Sequence, residues 1–159
     1  MSARTGIGYD CHRLVQGRPL VLGGVELVHD RGLEGHSDAD ALTHAIIDAM
    51  LGACALGDIG QHFPDTDPAY RDADSIELLR VTAARLAQAG FAVRHVDATV
   101  VMERPKLAPA RDAMRARLAQ ALGLDISAVS VKATRGEGMG FIGREEGIAA
   151  LAVATVEPV

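Results

Sequence analysis

The chain has 159 residues and a formal charge of −5 at pH 7; apolar residues make up 48% of it and aromatic residues 3%. This length predicts one domain, residues 1–159, which can bury roughly two thirds of the surface that the unfolded chain exposes. The acidic balance argues against nucleic acid as a partner, because like charges repel. A small phosphorylated ligand is still compatible with it, since metal ions or local positive charge can hold such a ligand.

The sequence also bears on where the protein works. Its longest apolar run is about half of the ~20 residues that a membrane span needs. The N-terminus lacks the apolar core of a signal peptide, and two cysteines, Cys11 and Cys54, do not make a disulfide framework. We therefore expect a cytoplasmic protein that does not contact a membrane.

Residues 5–13 alternate in polarity as a strand does, which places Asp10 and His12 on one face and Cys11 on the other. Two aligned ligands of this kind, with His44 as a third, would leave one tetrahedral position open, as in catalytic zinc sites. The alternative is that Asp10 and His12 form a hydrogen-bonded pair at the strand end. Cys11 is excluded as a metal ligand because it faces away. A hairpin follows at 20–27.

The stretch from His36 to Asp67 has a polar cluster followed by apolar residues at helical spacing. This pattern predicts a helix of about four turns that begins near Asp38, with Ser37 and Asp40 as a capping box.

On this predicted helix Asp40, His44 and Asp48 share one face, because they are four residues apart. A histidine between two carboxylates is what a metal ligand with a supporting partner looks like. Taken alone, however, the stretch fits an ordinary surface hydrogen-bonding pair better.

The second half alternates strands and helices. Polar residues from Asp58 to Pro68 predict an ordered loop without helix or strand, which could present backbone N–H groups and carboxylates to a polar ligand. We predict a helix at 74–90, a strand at 91–102, a helix ending at Gly123, and strands at 129–133 and 148–156.

The glycine-rich segment 134–144 would let the backbone approach a phosphate, although it matches no specific phosphate motif. The fold class is α/β or α+β, with a mixed sheet covered by helices on one face.

Four segments in this order carry a family resemblance over nearly the whole chain: GYDCHR, HSDADALTHAIIDAMLGACALGDIGQHFPDTDP, ERPKLAP and KATRGEGMGFIGREEGIA. The sequence resembles the 2-C-methyl-D-erythritol 2,4-cyclodiphosphate synthase family. The resemblance implies a homotrimer whose sheets pack around a central axis, with active sites at the subunit boundaries.

The implied reaction is a cyclisation in non-mevalonate isoprenoid biosynthesis, catalysed by a phosphorus–oxygen lyase. The substrate, 4-diphosphocytidyl-2-C-methyl-D-erythritol 2-phosphate, closes to the 2,4-cyclodiphosphate and releases CMP. Two other functions stay open: a zinc-dependent phosphohydrolase, and a non-catalytic trimeric protein that binds isoprenoids or nucleotides.

The resemblance also implies roles for individual residues. Zinc is held by Asp10, His12 and His44, and magnesium or manganese on the diphosphate is held through Glu137; His36, Arg135 and Glu137 are the implied catalytic residues. The implied substrate-binding residues are Asp10, Cys11, His12, His36, Ser37, Asp58, Ile59, Gly60, Phe63, Pro64, Asp65, Thr66, Asp67, Met102, Glu103, Arg104, Pro105, Lys106, Leu107, Ala108, Ala133, Thr134, Arg135, Gly136, Glu137, Phe141 and Arg144.

One position departs from the family pattern. Arg135 stands where the family usually has a threonine whose hydroxyl steadies the reacting phosphate; a guanidinium could instead clamp phosphate oxygens.

The resemblance also implies a second ligand besides the substrate. Phe141 and Arg144 match the lining of an axial channel that accepts isoprenoid diphosphates in several family members.

Overall fold

The computed structural model describes residues 2–159. It contains seven strands and five α-helices, two of them only four residues long. In chain order they are β1 (Arg4–Val15), β2 (Leu20–Leu22), β3 (Val25–Leu27), β4 (Gly32–Leu33), α1 (Ala41–Ala53), α2 (Ile59–His62), α3 (Ser75–Gln88), β5 (Phe91–Val101), α4 (Arg111–Leu122), β6 (Val129–Thr134), α5 (Gly140–Gly143) and β7 (Gly147–Pro158). Within residues 2–159 no helix has both the length and the apolar character that crossing a membrane requires.

Five strands form one mixed sheet in the order β4-β1-β7-β5-β6, and β2 and β3 form a separate hairpin. Strands β5 and β6 are parallel and are connected through α4, whereas the other pairs in the large sheet are antiparallel. The helices pack on one face of the sheet, so Val96, Ala98 and Val100 of β5 are buried there. This confirms the predicted fold class, a mixed sheet covered by helices on one face.

Helix α1 lies unusually close to β1 because two glycines face it. A Cβ atom built on Gly8 would stand 1.9 Å from the Ala45 carbonyl oxygen, and one on Gly6 would stand 2.0 Å from the Ala49 carbonyl oxygen. No side chain fits in such a gap. The absence of a side chain at these two positions lets α1 rest on the strand that carries Asp10 and His12.

The start of α1 differs from the predicted capping box. The helix begins at Ala41, and Asp40 is its N-cap, accepting from the Thr43 backbone N–H at 3.0 Å. The Asp40 carboxylate also accepts from the backbone N–H groups of Gly23 and Gly24, at 2.9 and 2.8 Å. Asp40 therefore anchors the hairpin turn. The sequence had predicted that Asp40 would lie on the same helix face as His44, and this prediction was wrong. Burial raises the pKa of Asp40, and hydrogen bonds from Thr43 and Gly24 oppose that rise.

Two short helices, α2 and α5, lie in segments that were predicted to be loops, and strand β4 lies where no element was predicted. Helix α2 interrupts the predicted loop because Asp58 and Gln61 form a capping box and Asp48 accepts from the Ile59 N–H at 2.8 Å. Helix α5 lies within the glycine-rich segment, and β4 is a two-residue edge strand on β1. Elements this short have no sequence periodicity from which to predict them.

The α1–β1 contact leads to a test by substitution. Gly8→Ala should lower the free energy of unfolding by about 3 kcal/mol, since the new methyl group meets backbone that cannot move aside. Gly52→Ala is the matched control, because the nearest neighbour of a Cβ there is 3.9 Å away; it should stabilise the helix by up to about 1 kcal/mol. Urea unfolding of the two variants measures the difference, and equal stabilities would contradict the proposed close packing.

Candidate metal centre and flanking pockets

Three predicted metal ligands meet between β1 and α1. Asp10 Oδ2 lies 2.8 Å from His12 Nε2 and 3.2 Å from His44 Nδ1. One ligand atom from each residue lies within 4.8 Å of the other two. Asp10 and His12 point the same way because they are two residues apart on a strand, and His44 reaches them from the first turns of α1. The arrangement is the one predicted from the alternation of residues 5–13.

The hydrogen bonds around His12 show that these atoms fit a cation. His12 Nδ1 donates to the Glu34 carbonyl oxygen at 2.8 Å. In a neutral ring the other nitrogen, Nε2, then carries a lone pair that faces the carboxylate of Asp10. Within the described chain neither His12 Nε2 nor Asp10 Oδ2 has a hydrogen-bond partner of suitable geometry, although both are buried. Facing lone pairs require a proton or a metal ion between them, and two nitrogens with one carboxylate oxygen suit a divalent cation such as zinc.

Without a metal ion, the proton is the alternative occupant, and the pKa values agree with this. Burial acts to raise the pKa of Asp10, but hydrogen bonds and charge from His12 and His44 outweigh it, so the pKa lies below its ordinary value. Burial acts to lower the pKa of His12, but Asp10 outweighs it, so this pKa lies above 6.5. The metal-free pair therefore favours a protonated His12 beside an ionised Asp10.

A cavity of about 370 Å³ opens over the triad. His36 and Ser37 line it beside the triad, and Ile59, Gly60, Phe63, Pro64 and Asp65 line it from the segment that follows α1. All seven were predicted to bind substrate. The lining also includes Gly35, Tyr70 and Leu78, which the sequence analysis missed.

The three missed residues gave little signal. Leu78 has the spacing of an ordinary core position in α3, and Gly35 is one of many loop glycines. Tyr70 is brought to the cavity by its edge-on contact with Phe63, with ring centroids 5.3 Å apart. Such a contact across a loop is visible only in the folded chain.

Three predicted residues in the same segment, Asp58, Thr66 and Asp67, are not in the cavity lining. Asp58 caps α2, and the Asp67 side chain accepts from the Ala69 N–H at 2.9 Å. The Asp67 carbonyl also accepts from His36 Nε2 at 2.8 Å, so Asp67 positions a residue that does line the cavity.

A second cavity, of about 190 Å³, lies where β5 and β6 end. Its lining consists of Arg111, which was not predicted, and of nine predicted residues: Met102, Glu103, Pro105, Lys106, Leu107, Ala108, Ala133, Thr134 and Arg135. The Glu103 side chain is 9% exposed and accepts from the backbone N–H of Gly136, while Arg135 lies 3.5 Å from its other oxygen. Arg104 instead pairs with Glu145 outside this cavity.

The two cavities are separate within one chain. Strand register places Cys11 beside Ala149, Ala149 beside Val101, and Val101 beside Thr134. Cys11 of β1 and Thr134 of β6 are thus three strand spacings apart, about 14 Å. The residues predicted for one binding site therefore form two groups on the same chain.

The remaining predicted residues lie outside both cavities. Cys11 faces the uncovered side of the sheet and shares a cavity of about 170 Å³ with Phe141. Arg144 lies in a crevice with Arg104 and Arg135. Glu137 is exposed, at a positive φ of 53°, and the metal-ligand cluster of residues 2–159 does not include it.

The sequence model of the YgbB family matches residues 3–157. The chain belongs to the YgbB family. It is 62% identical over 154 residues to the 2-C-methyl-D-erythritol 2,4-cyclodiphosphate synthase of Salinibacter ruber, covering 97% of this chain and 98% of that protein.

Solved structures of YgbB-like proteins have the same fold. The CDP-bound form of a 2C-methyl-D-erythritol-2,4-cyclodiphosphate synthase superposes with a TM-score of 0.89 at 36% identity, covering 97% of this chain and all of that one. The bifunctional IspDF of Campylobacter jejuni superposes with a TM-score of 0.96 at 41% identity. That match covers 99% of this chain and 43% of the bifunctional chain.

The raised pKa of His12 predicts how metal binding depends on pH. A proton on Nε2 must leave before a cation can bind there, so the affinity for Zn²⁺ should fall as the pH decreases, by about tenfold per pH unit for each displaced proton. Because the pKa of His12 lies above 6.5, the fall should begin above pH 6.5. Competition with a chromogenic chelator between about pH 8.5 and 5.5 measures it.

His29 provides the matched control for this titration, because it also contacts a carboxylate, Asp30, at 3.2 Å but lies outside the triad. The His29→Gln variant should give the same curve as the unmodified protein. A zinc affinity that stays constant down to pH 6.5 would contradict the assignment of His12.

Proposed function

We propose that this YgbB-family protein converts 4-diphosphocytidyl-2-C-methyl-D-erythritol 2-phosphate to 2-C-methyl-D-erythritol 2,4-cyclodiphosphate, with release of CMP, in isoprenoid biosynthesis. In reaction class this makes it a phosphorus–oxygen lyase. The observation that carries the proposal is the convergence of Asp10, His12 and His44 in a cavity, within a chain 62% identical to a protein of that name.

The proposed cofactors are zinc on the triad and magnesium or manganese held through Glu137. Cations bound there would neutralise phosphate charge and polarise the phosphorus that is attacked. The proposed nucleophile is the substrate's own 2-phosphate, so the chain has to supply alignment and no nucleophilic side chain. Bound cations also explain how an acidic protein can hold a highly charged anion.

The residues around the triad suit the methylerythritol phosphate part of this substrate. The Ser37 hydroxyl oxygen accepts from the Ala39 N–H at 3.2 Å, which leaves its O–H able to donate to a phosphate oxygen. His36 is held by the Asp67 carbonyl at the same wall. Ile59, Phe63 and Leu78 supply an apolar surface for the carbon chain, and Asp65 can accept from its hydroxyl groups.

The second cavity suits the cytidine part. Its lining includes the apolar residues Met102, Leu107 and Ala133, and we assign Lys106 and Arg135 to the phosphate end. The CDP-bound form of a related synthase supports a nucleotide-binding role for proteins of this fold. Because the two cavities are separate and lie at strands β1 and β6, three strand spacings or about 14 Å apart in the sheet, we assign the halves of one substrate to different subunits.

The proposed assembly is a homotrimer whose sheets surround a central axis. The sheet face opposite the helices supports it, because Ile7 and Tyr9 are 73% and 52% exposed and lie beside the exposed Val153 and Leu151. Large apolar side chains on a whole sheet face favour burial against another subunit. The Phe141 cavity on this side is our candidate for the axial site of an isoprenoid diphosphate. Arg144 contacts Glu146 of its lining at 3.4 Å and is the proposed charge partner.

The reaction is tested by incubating the protein with the cytidine substrate, Zn²⁺ and Mg²⁺, and recording the phosphorus NMR spectrum. We expect signals of a cyclic diphosphate and of CMP. Open-chain monophosphates would instead indicate a phosphohydrolase, and unchanged substrate a binding protein. His44→Ala should lose bound zinc and reduce turnover by on the order of 10²–10³-fold or more, whereas His29→Ala should not.

Arg135 is tested separately, because it replaces the usual threonine. If its guanidinium contacts phosphate, Arg135→Thr should lower kcat/KM about tenfold, as expected for one partly exposed charge-assisted contact. Arg94→Thr is the matched control, because Arg94 also pairs with one glutamate on the surface, Glu157, and lines neither cavity. Unchanged kcat/KM in Arg135→Thr would mean that the side chain is not engaged.

A further inference from the structure

Ser75 lies directly behind His44, on the side away from the other two triad residues. It is the first residue of α3, follows the N-cap Asp74 and is fully buried. Its hydroxyl oxygen is 2.8 Å from His44 Nε2. Ser75 lies 31 residues away from His44 along the chain and was not among the predicted site residues.

The direction of this hydrogen bond follows from the other partner of Ser75. The Asp38 carboxylate accepts from three donors: the Ser75 hydroxyl, the Ser75 backbone N–H at 3.0 Å and the Asp40 backbone N–H at 3.1 Å. A serine hydroxyl has one hydrogen, and here Asp38 receives it. Only a lone pair of Ser75 therefore remains for His44 Nε2, so Nε2 must be the donor.

This direction fixes the tautomer of His44. With the hydrogen on Nε2, the neutral ring has its lone pair on Nδ1, the atom that lies 3.2 Å from Asp10 Oδ2. The opposite tautomer would place an N–H where the metal ion has to bind and would set two lone pairs against each other at Ser75. We propose that Ser75, oriented by Asp38, is a positioning residue that holds His44 as the Nε2–H tautomer and so prepares Nδ1 to bind the metal ion.

Ser37 cannot replace Ser75 in this role. Its hydroxyl is 3.2 Å from His44 Nε2, a longer contact than that of Ser75. Among residues 2–159 the hydrogen-bond partners of the Ser37 hydroxyl are His44 Nε2 and the Ala39 N–H and include no carboxylate, so this hydroxyl, which lines the cavity, can rotate to donate or to accept. Residues that hydrogen-bond a metal-binding histidine typically change metal affinity by 10- to 100-fold when they are removed. The proposal rests on the metal site within the proposed function but needs no substrate for its test.

The tautomer is read directly from the unmodified protein. A long-range proton–nitrogen correlation NMR spectrum of the metal-free protein at about pH 8, with His44 assigned by its loss in His44→Gln, should show hydrogen on Nε2 alone. Hydrogen on Nδ1, or an equal mixture of the two tautomers, would overturn the proposal. Because this measurement uses no variant of Ser75, it decides the question even if Ser75→Ala fails to fold.

The effect on the metal ion is measured by zinc competition with a chromogenic chelator. Ser75→Ala should weaken zinc binding 10- to 100-fold and give a mixture of His44 tautomers. Ser127→Ala is the matched control, because the Ser127 hydroxyl also donates to an aspartate, Asp125 at 2.7 Å, but Ser127 is exposed and far from the triad in sequence. It should bind zinc as the unmodified protein does.

Two results would refute the positioning role. One is a zinc dissociation constant in folded Ser75→Ala within twofold of the unmodified value, and the other is the absence of zinc binding in the unmodified protein. Failure to produce a cyclic diphosphate would refute the proposed reaction but leave both zinc binding and the tautomer as measured. The two proposals therefore fail separately.

Discussion

The site depends on the close contact between α1 and β1. Helix and strand would normally be held apart by side chains, but at Gly6 and Gly8 the helix backbone lies within contact distance of the strand backbone. This contact sets the distance from His44 to Asp10. The convergence of Asp10 and His12 of β1 with His44 of α1 therefore depends on two positions that have no side chain.

The second constraint is electrostatic. Asp10 Oδ2 lies 2.8 Å from His12 Nε2 and 3.2 Å from His44 Nδ1, and buried acceptors that face one another need a proton or a metal ion between them. The surrounding hydrogen bonds act in the same direction, since Glu34 and Ser75 each contact the ring nitrogen that faces away from the metal position. The chain thus keeps both histidines ready for a cation instead of satisfying them internally.

The distribution of the remaining residues supports the proposed homotrimer. The cavity over the triad is next to β1, whereas the second cavity is next to β6, on the other side of the sheet centre. The same sheet exposes apolar side chains such as Ile7 and Tyr9 on its uncovered face. Subunit association through that face would bury this surface and bring cavities of different chains together, so stability and catalysis would depend on the same contact.

The sequence by itself determined the fold class and the long helices and strands, because those features depend on local periodicity. A strand alternates, so the sequence also placed Asp10 and His12 on one face. Through the family resemblance, and not through periodicity alone, the sequence pointed to His44 as their third partner. It also determined family membership, through motifs such as GYDCHR. Only the tertiary structure decided that Asp40 serves the β2–β3 turn and not His44, that Tyr70 and Leu78 reach the cavity, and that Ser75 lies behind His44. Each of these depends on which distant segments pack together, and residue spacing along one element carries no information about the partner across a gap of 17 or 31 residues.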